Sequence, residues 1–165
     1  MTIKVGLVGY GTIGRRVADA IALQKDMELV GVTAHSYSYK TEVAKTKGLK
    51  IFAMNGERDF IKNGIKPDGT VNNLLEKADV IVDCTPKKIG LENKEKHYVP
   101  NKVKAIFQGG EGPDVADVSF VAQCNYDEAL NKDYIRVVSC NTTGLCRTLY
   151  PINENLKILR ASRPL

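Results

Sequence analysis

Long hydrophobic runs are missing from this chain of 165 residues. No apolar stretch approaches the roughly 18 residues that a membrane-spanning helix needs. A strand-like run begins already at Ile3, which leaves no room for a secretory signal sequence before it. These absences predict a cytoplasmic protein that has no membrane partner.

Paired cysteines and dense blocks of positive charge are missing as well. The four cysteines form no Cys-x-x-Cys pair, and only His35 and His97 could add nitrogen ligands, so we expect no bound metal. Free thiols of this kind fit a reducing compartment. The net charge of +5 is spread along the chain without interleaved aromatic residues. We therefore expect no nucleic-acid partner and a mild preference for phosphorylated ligands.

What is present begins with a glycine-rich turn between a strand-like run and a helical one. The apolar run Ile3–Val8 leads into Gly9-x-Gly11-x-x-Gly14, and residues 15–23 carry apolar side chains at helical spacing. A second strand-like run covers Met27–Ala34 and completes a βαβ unit. Strand, glycine spacing, helix and second strand together predict a dinucleotide-binding site.

Each glycine of this turn has a physical role in such a site. Gly9 allows the tight turn, Gly11 lets the backbone approach a pyrophosphate, and Gly14 lets the helix pack closely on the strand. The phosphates would lie at the helix N-terminus, beside the amides of Thr12 and Ile13.

The acidic residue that usually contacts the ribose of NAD is missing. It is expected about 20 positions after the third glycine, but residues 33–36 hold no carboxylate, and the next one is Glu42. The side chains that could instead accommodate the 2′-phosphate of NADP are Thr33, His35, Ser36 and Lys40. NADP is therefore favoured, although a backbone or water contact would serve NAD equally well.

Strand-like and helical runs continue to alternate, which predicts an α/β protein with a Rossmann-type, doubly wound, mostly parallel sheet. Further strands are expected at 49–53, 78–84, 105–107, 118–123 and 135–138, and helices at 39–47, 71–77 and 87–98. Ligands of open α/β sheets bind at the carboxyl ends of the strands. This position is occupied by Thr85 and Pro86 and by Gly109 and Gly110, although a plain flexible loop would explain the glycine pair equally well.

A cysteine stands where the last strand-like run gives way to a helical segment. The run 135–138 is followed by Ser139 and Cys140, and Asn141 can begin a helix. Free backbone N–H groups and the positive end of the helix dipole stabilise a thiolate at such a position. Cys140 is thus a candidate nucleophile toward a carbonyl carbon. The alternative is a buried structural cysteine between ordinary helix-capping residues.

Two of the other thiols are expected to lie away from that candidate site. Cys84 ends an apolar run and should lie in the core. Cys146 follows Cys140 by six residues, about 600° around a helix, and should point away from it.

Taken together, these segments resemble the N-terminal half of an archaeal-type glyceraldehyde-3-phosphate dehydrogenase, from residue 1 to about residue 158. The resemblance rests on five motifs, of which the last is highly specific. They are Gly9-Tyr-Gly-Thr-Ile-Gly14 with Arg16-Val-Ala-Asp-Ala20, Val82-Asp-Cys-Thr-Pro86, Phe107-Gln-Gly-Gly110, Cys124-Asn-Tyr126 and Arg136-Val-Val-Ser-Cys-Asn-Thr-Thr143.

The resemblance implies a phosphorylating, NAD(P)-dependent oxidation of glyceraldehyde 3-phosphate to 1,3-bisphosphoglycerate. Cys140 would be the nucleophile and would carry a thioester, inorganic phosphate would be the second substrate, and the enzyme would be a homo-oligomer. Substrate contacts are implied at Ser139 and Asn141, and cofactor contacts at Thr12, Ile13 and Gly110.

The resemblance also implies a domain boundary and an incomplete enzyme. Residues 1–140 would form the NAD(P)-binding domain, and 141–165 would contain the first catalytic-domain helix and a truncated tail. Members of that family continue into a catalytic domain that carries the base histidine, so this chain alone is expected to be inactive. Two alternatives are a stand-alone NADP-binding module and a related semialdehyde dehydrogenase, although the Asn-Thr-Thr after Cys140 argues against the latter.

Overall fold

The computed structural model describes residues 2–162 and contains one sheet of eight strands. Every pair of neighbouring strands in it is parallel. In chain order the strands are Ile3–Val8 (β1), Met27–Ala34 (β2), Ile51–Ala53 (β3), Gly69–Thr70 (β4), Val80–Asp83 (β5), Lys104–Phe107 (β6), Val118–Phe120 (β7) and Tyr134–Val137 (β8). The predicted parallel α/β fold is confirmed.

The chain changes direction across the sheet at β1. Its strand order is β4-β3-β2-β1-β5-β6-β8-β7, so β1 to β4 run toward one edge and the later strands lie on the other side of β1. The carboxyl ends of β1 and β5 therefore flank the point where the order reverses. Open α/β sheets form their ligand crevice at this point.

The crossover connections contain eight helices in the described part of the chain. These are Thr12–Ala22 (α1), Tyr39–Thr46 (α2), Arg58–Lys62 (α3), Val71–Leu75 (α4), Ile89–Asn93 (α5), Val99–Asn101 (α6), Ala122–Ala129 (α7) and Cys140–Leu156 (α8). A π-helical turn, Lys94–Tyr98, continues α5 into α6, and a 3-10 turn covers Pro113–Val115. All of these helices are too short or too polar to cross a bilayer.

Two hydrophobic clusters cover the faces of the sheet. Leu7 belongs to the cluster that also contains Ile21 of α1, whereas its neighbour Val8 belongs to the cluster with Tyr98. Consecutive strand residues point to opposite faces, so β1 contributes to both clusters. Burial on both faces explains why the central strands are almost continuously apolar.

The predicted elements agree best with the structure in the first βαβ unit, where β1 and β2 have the expected bounds. The strand expected at 118–123 is wrong at its end, because β7 stops at Phe120 and α7 begins at Ala122. Asn125 explains the change of element: its Oδ1 accepts from the Val121 amide at 3.0 Å and its Nδ2 donates to the Ser119 carbonyl at 2.9 Å.

The last helix lies on the outside of the protein. No residue of α8 is buried, and Leu145 and Ile152 remain 44% and 41% exposed. Pro151 stands inside this helix. The helix nevertheless contacts α7, so it is attached to the carboxyl edge of the sheet through its neighbour.

Replacing Gly14 with alanine should destabilise the protein, because the new Cβ would lie 2.1 Å from the Gly9 carbonyl oxygen. Backbone displacement of this kind typically costs about 1–3 kcal/mol or more. Urea unfolding followed by circular dichroism would measure the loss.

The matched control is Gly144→Ala in α8, where no atom of residues 2–162 outside the helix's own local backbone lies within 4 Å of an added Cβ. Alanine in a helix interior should raise the free energy of unfolding by about 0.5–1 kcal/mol. Equal effects of the two substitutions would contradict the close strand–helix contact.

Candidate functional site

The turn after β1 is shaped by backbone contacts. Gly9 has a φ of +90°, a conformation that side chains disfavour, and its N–H donates to the Thr33 hydroxyl at 3.1 Å. An added Cβ at Gly9 would lie 3.1 Å from backbone atoms of Cys84 and Thr85. The turn is thus held between the carboxyl ends of β2 and β5.

The N-terminus of α1 presents backbone donors without a capping side chain. Gly11 is the N-cap residue and makes no side-chain cap, and the first turn contains no acidic residue. Arg15 is the first residue whose N–H bonds back to Gly11, at 3.0 Å, so the amides of Thr12 and Ile13 precede the helical hydrogen bonds. Such a terminus favours an anion.

Space for a ligand backbone is present beside the same turn. A Cβ built on Gly11 meets no atom within 4 Å among the described residues, and Gly11 has a negative φ that any residue can adopt. Nothing in this chain's own fold requires glycine there. The observation fits a group that approaches the backbone from outside, as a pyrophosphate does.

A cleft of about 410 Å³ opens over this turn at the switch point of the sheet. Eleven of the thirteen residues predicted to contact a cofactor line it. They are Gly9, Gly11, Thr12, Ile13, Thr33, His35, Ser36, Lys40, Thr85, Pro86 and Gly109. The remaining two, Gly14 and Gly110, do not line the cleft: Gly14 contacts Gly9 beneath the turn.

The end of the cleft near β2 carries polar and basic side chains. Ser36, Ser38 and Lys40 line it together with His35, and none of the cleft residues is acidic. The His35 Nδ1 lies 2.8 Å from the Asn55 amide nitrogen, so Asn55 positions the imidazole. This end suits a negatively charged group better than a ribose that needs a carboxylate partner.

The other end of the cleft is formed where two loops touch. Thr85 and Pro86 follow β5, Gly109 follows β6, and a Cβ at Gly109 would lie 1.7 Å from the Thr85 carbonyl oxygen. Only glycine permits this contact. The Gln108 amide also donates to the Asp83 carbonyl at 2.7 Å, which continues the strand pairing into the loops.

Cys84 also lines the cleft, although it was expected only in the core. It is half-buried against the hydrophobic cluster that contains Leu7 and Ile21. Burial together with the Asp83 carboxylate raises the pKa of its thiol to about 12. Cys84 is therefore a protonated thiol at neutral pH and a poor nucleophile. Tyr10, Ala34, Ser38 and Thr41 are further lining residues that the glycine motif did not indicate.

Cys140 is the first residue of α8 and is exposed. Ser139 caps this helix by accepting from the Thr142 amide at 3.2 Å, and the Asn141 Oδ1 lies 4.0 Å from the Cys140 sulfur. The expected placement of the sulfur at a helix N-terminus is confirmed. The alternative of a buried structural cysteine is wrong, although Ser139 is indeed a helix cap.

Cys140 does not line the cleft. It opens onto a separate shallow groove along α8, which also contains Asn141, Gly144 and Leu145. Both features lie at the carboxyl edge of the sheet, and β8, which precedes Cys140, is separated from β5 only by β6. The cleft and the Cys140 groove therefore lie at the same carboxyl edge of the sheet but are separate from each other.

The remaining thiols and histidines lie elsewhere. Cys124 and Cys146 line a groove between α7 and α8, and partial burial and the Cys146 thiol raise the pKa of Cys124. Burial and the Lys96 ammonium lower the pKa of His97, which lies on the π-helical turn. Neither His97 nor the cleft residue His35 lines the groove of Cys140.

Comparison with known proteins places this chain in a family. The sequence profile of the family "dihydrodipicolinate reductase, N-terminus" matches residues 3–109, which include the glycine turn and most of the cleft. The chain belongs to this family. A structure of aspartate semialdehyde dehydrogenase with NADP from Candida albicans shares the fold, with a TM-score of 0.64 and 17% identity over 96% of this chain and 48% of that one.

Higher identity is found with curated glyceraldehyde-3-phosphate dehydrogenases of archaea. The protein of Archaeoglobus fulgidus is 52% identical over 97% of this chain and 47% of its own length. That of Pyrococcus furiosus is 55% identical over 93% of this chain and 46% of its own length. These identities confirm the predicted resemblance. The chain spans about half the length of the curated relatives it matches.

Cys84 and Cys140, which both lie at the carboxyl edge of the sheet, should differ strongly in their rates of alkylation. At pH 8 a pKa of about 12 leaves about one Cys84 thiol in ten thousand ionised, and only the thiolate reacts with iodoacetamide. We expect exposed Cys140 to be alkylated first, as read by peptide mass spectrometry. The labelling rate of Cys84 should rise about tenfold per pH unit up to that pKa.

Labelling in 6 M urea is the control, because unfolding removes the burial that protects Cys84. The two rates should then converge. If Cys84 were labelled as fast as Cys140 in the folded protein, the protonated state assigned to Cys84 would be wrong.

Proposed function

We propose that the cleft binds NADP or NAD, with the pyrophosphate at the N-terminus of α1. The uncapped amides of Thr12 and Ile13 supply donors and the positive end of the helix dipole. Gly9 and Gly11 leave the backbone accessible on the cleft side of the turn. Gly14 supports the turn from below rather than touching the ligand.

The polar end of the cleft would hold the adenosine ribose, and NADP is the favoured cofactor. A 2′-phosphate brings negative charge to His35, Ser36 and Lys40, and no carboxylate of the cleft lining opposes it. Thr33 contributes mainly by fixing the Gly9 amide. NAD remains compatible with the cleft, because its hydroxyl can bond the same polar groups.

The opposite end of the cleft would hold the nicotinamide. Thr85, Pro86 and Gly109 line that end, and Gly110 follows in the same loop with a φ of +80°. When bound there, the nicotinamide supplies a hydride acceptor.

We further propose that the protein of which this chain is a part is a phosphorylating glyceraldehyde-3-phosphate dehydrogenase. The observation that carries this is an exposed Cys140 at a capped helix N-terminus, in a chain 48–55% identical to archaeal enzymes of that name. The relatives' activity is transferred here as a proposal, because the chain covers only about half of them.

Cys140 would act through its sulfur on the aldehyde carbon of glyceraldehyde 3-phosphate. Addition would give a hemithioacetal, whose hydride would pass to the oxidised nicotinamide and whose hydroxyl proton would pass to a base, leaving a thioester on Cys140. Inorganic phosphate would then displace the sulfur as a thiolate and give 1,3-bisphosphoglycerate. Backbone amides at the start of α8 and the Asn141 side chain would stabilise the developing oxyanion. Ser139 holds this helix start in place through its cap.

The base for this reaction is not supplied by the described residues. His35 lies in the cleft and His97 on the π-helical turn, and neither lines the Cys140 groove. We therefore propose that residues 1–140 are the cofactor domain and 141–165 the beginning of a catalytic domain. That catalytic domain would supply the base. We propose that the whole protein is a cytoplasmic homo-oligomer.

A stand-alone NADP-binding module is the second candidate. It is favoured by one observation: Cys140 is not among the residues that line the cleft and opens onto a separate groove. Such a module would bind the dinucleotide without turnover.

Gly11→Ala should weaken dinucleotide binding and cost at most about 1 kcal/mol of stability, because alanine is a poorer N-cap residue than glycine. Outside Gly11 and its two chain neighbours, the added Cβ lies within 4 Å of no atom of residues 2–162. It would, however, occupy the space through which a pyrophosphate reaches the backbone of the turn. Calorimetric titration should show that the dissociation constant for NADP⁺ rises about tenfold or more, equivalent to about 1.4 kcal/mol. Gly144→Ala is the control and should bind as the unmodified chain does.

The same titration with NAD⁺ measures the cofactor preference, and tighter binding of NADP⁺ is expected. Failure of the unmodified chain to bind either dinucleotide would overturn the proposed cleft. If the Gly11→Ala protein bound NADP⁺ as tightly as the unmodified chain, the proposed placement of the pyrophosphate at this turn would be wrong.

Turnover should require more than this chain. With glyceraldehyde 3-phosphate, phosphate and NADP⁺, we expect residues 1–165 to form NADPH at least about 10²–10⁴ times more slowly than the whole protein, because the general base is missing. Protein expressed from the whole reading frame of the source gene should form NADPH, and Cys140→Ser should abolish this activity. Cys146→Ser is the control and should retain it.

The rate of NADPH formation by each protein is measured from the absorbance of NADPH. Activity that persists in Cys140→Ser would exclude the thioester route. A reading frame that ends at Leu165 would favour the stand-alone module instead.

A further inference from the structure

We propose that Asp83 is a positioning residue of the cleft: its buried carboxyl holds Thr85, and through Thr85 the loop pair that forms the nicotinamide end. The inference deepens the proposed function and rests on it. Asp83 is the last residue of β5 and only 1% exposed. It does not line the cleft itself.

Both oxygens of the Asp83 carboxyl are fully engaged. Oδ1 accepts from the Thr85 amide at 2.9 Å and from the Thr85 hydroxyl at 2.5 Å. Oδ2 accepts from the Asn93 side-chain amide at 2.9 Å and from the Tyr98 hydroxyl at 2.5 Å. All four partner groups act as donors, which is the arrangement that a buried carboxylate requires.

The partners on Oδ2 are themselves fixed in the interior. Asn93 ends α5 and is buried, and Tyr98 ends the π-helical turn with no exposed surface. Burial and the Asp83 carboxylate hold the pKa of Tyr98 well above its usual value, so the phenol remains a donor. One carboxyl thus ties the start of the β5–α5 connection to the helical segment that follows it.

Thr85 passes this restraint to the second loop. Its carbonyl oxygen is the atom that an added Cβ at Gly109 would approach to 1.7 Å, so the two loops are in direct backbone contact. A second buried carboxyl strengthens the pair, because Glu111 accepts from the Gly90 amide at 2.9 Å. Displacing Thr85 would therefore move both walls of that end of the cleft.

Two ligands separate this positioning role from a general loss of stability. NADPH would span the whole cleft, whereas adenosine 2′,5′-bisphosphate carries only the adenosine, the 2′-phosphate assigned to the polar end near His35 and Lys40, and one phosphate of the pyrophosphate; it has no nicotinamide. Loss of Thr85 positioning should affect the first ligand alone. A global loss of folded protein would lower the apparent affinity of both.

The experiment compares Asp83→Ala with Tyr98→Phe, which removes a donor from the same carboxyl but leaves both bonds to Thr85. For Asp83→Ala we expect the NADPH dissociation constant to rise about tenfold, with binding of adenosine 2′,5′-bisphosphate changed less than twofold. For Tyr98→Phe both constants should stay within about twofold. NADPH fluorescence and calorimetry measure the two ligands.

Asp83→Asn tests rescue by a conservative change. Its amide can keep an oxygen toward Thr85, while the Asn93 amide and Tyr98 hydroxyl can reverse their roles. NADPH affinity should therefore recover most of the loss seen in Asp83→Ala. Equal NADPH binding by Asp83→Ala and the unmodified chain would overturn the inference alone, as would parallel weakening of both ligands.

Should Asp83→Ala fail to fold, Thr85→Val makes the comparison, again with Tyr98→Phe as its control. Valine deletes the hydroxyl that donates to Asp83, so NADPH binding should weaken while binding of adenosine 2′,5′-bisphosphate changes less than twofold. Normal NADPH binding by Thr85→Val would overturn the inference. If the unmodified chain binds neither ligand, the proposed function fails, and the role of Asp83 fails with it.

Discussion

The close approach of backbone to backbone at the carboxyl edge of the sheet is the constraint on which this structure depends. The turn after β1 lies against the end of β5, and the start of α1 lies against the turn. A side chain at Gly9 or Gly14 would not fit these contacts, and the two glycines let the N-terminus of α1 lie beside the switch point of the sheet. A cleft with uncapped amides at its floor is the consequence.

The same edge holds two cysteines whose surroundings give them opposite chemistry. Cys84 is half-buried beside a carboxylate, and its raised pKa keeps the thiol protonated in the cleft. Cys140 is exposed as the first residue of α8, at the positive end of the helix dipole. Chemical identity therefore says little about a thiol's role: solvent access and neighbouring charge decide it.

Local sequence was sufficient to predict the first βαβ unit and the cleft turn. The glycine spacing and two apolar runs of strand length specify β1, α1 and β2 without reference to distant residues. Prediction failed where side chains stabilise unusual backbone. Asn125 bonds its own neighbours and ends β7 early, and β4 contains only two residues, too few for a periodic pattern.

For the candidate site too, local sequence predicted some features and tertiary structure was needed for others. The sequence alone determined the dinucleotide turn, the absence of an acidic ribose partner and the cysteine at a helix start, because each depends on residues close together in the chain. Only the tertiary structure decided that Cys84 lines the cleft, that Gly110 does not, and that Asp83 joins Thr85 to Tyr98. Those relations depend on which strands and loops meet, and no short-range pattern records them.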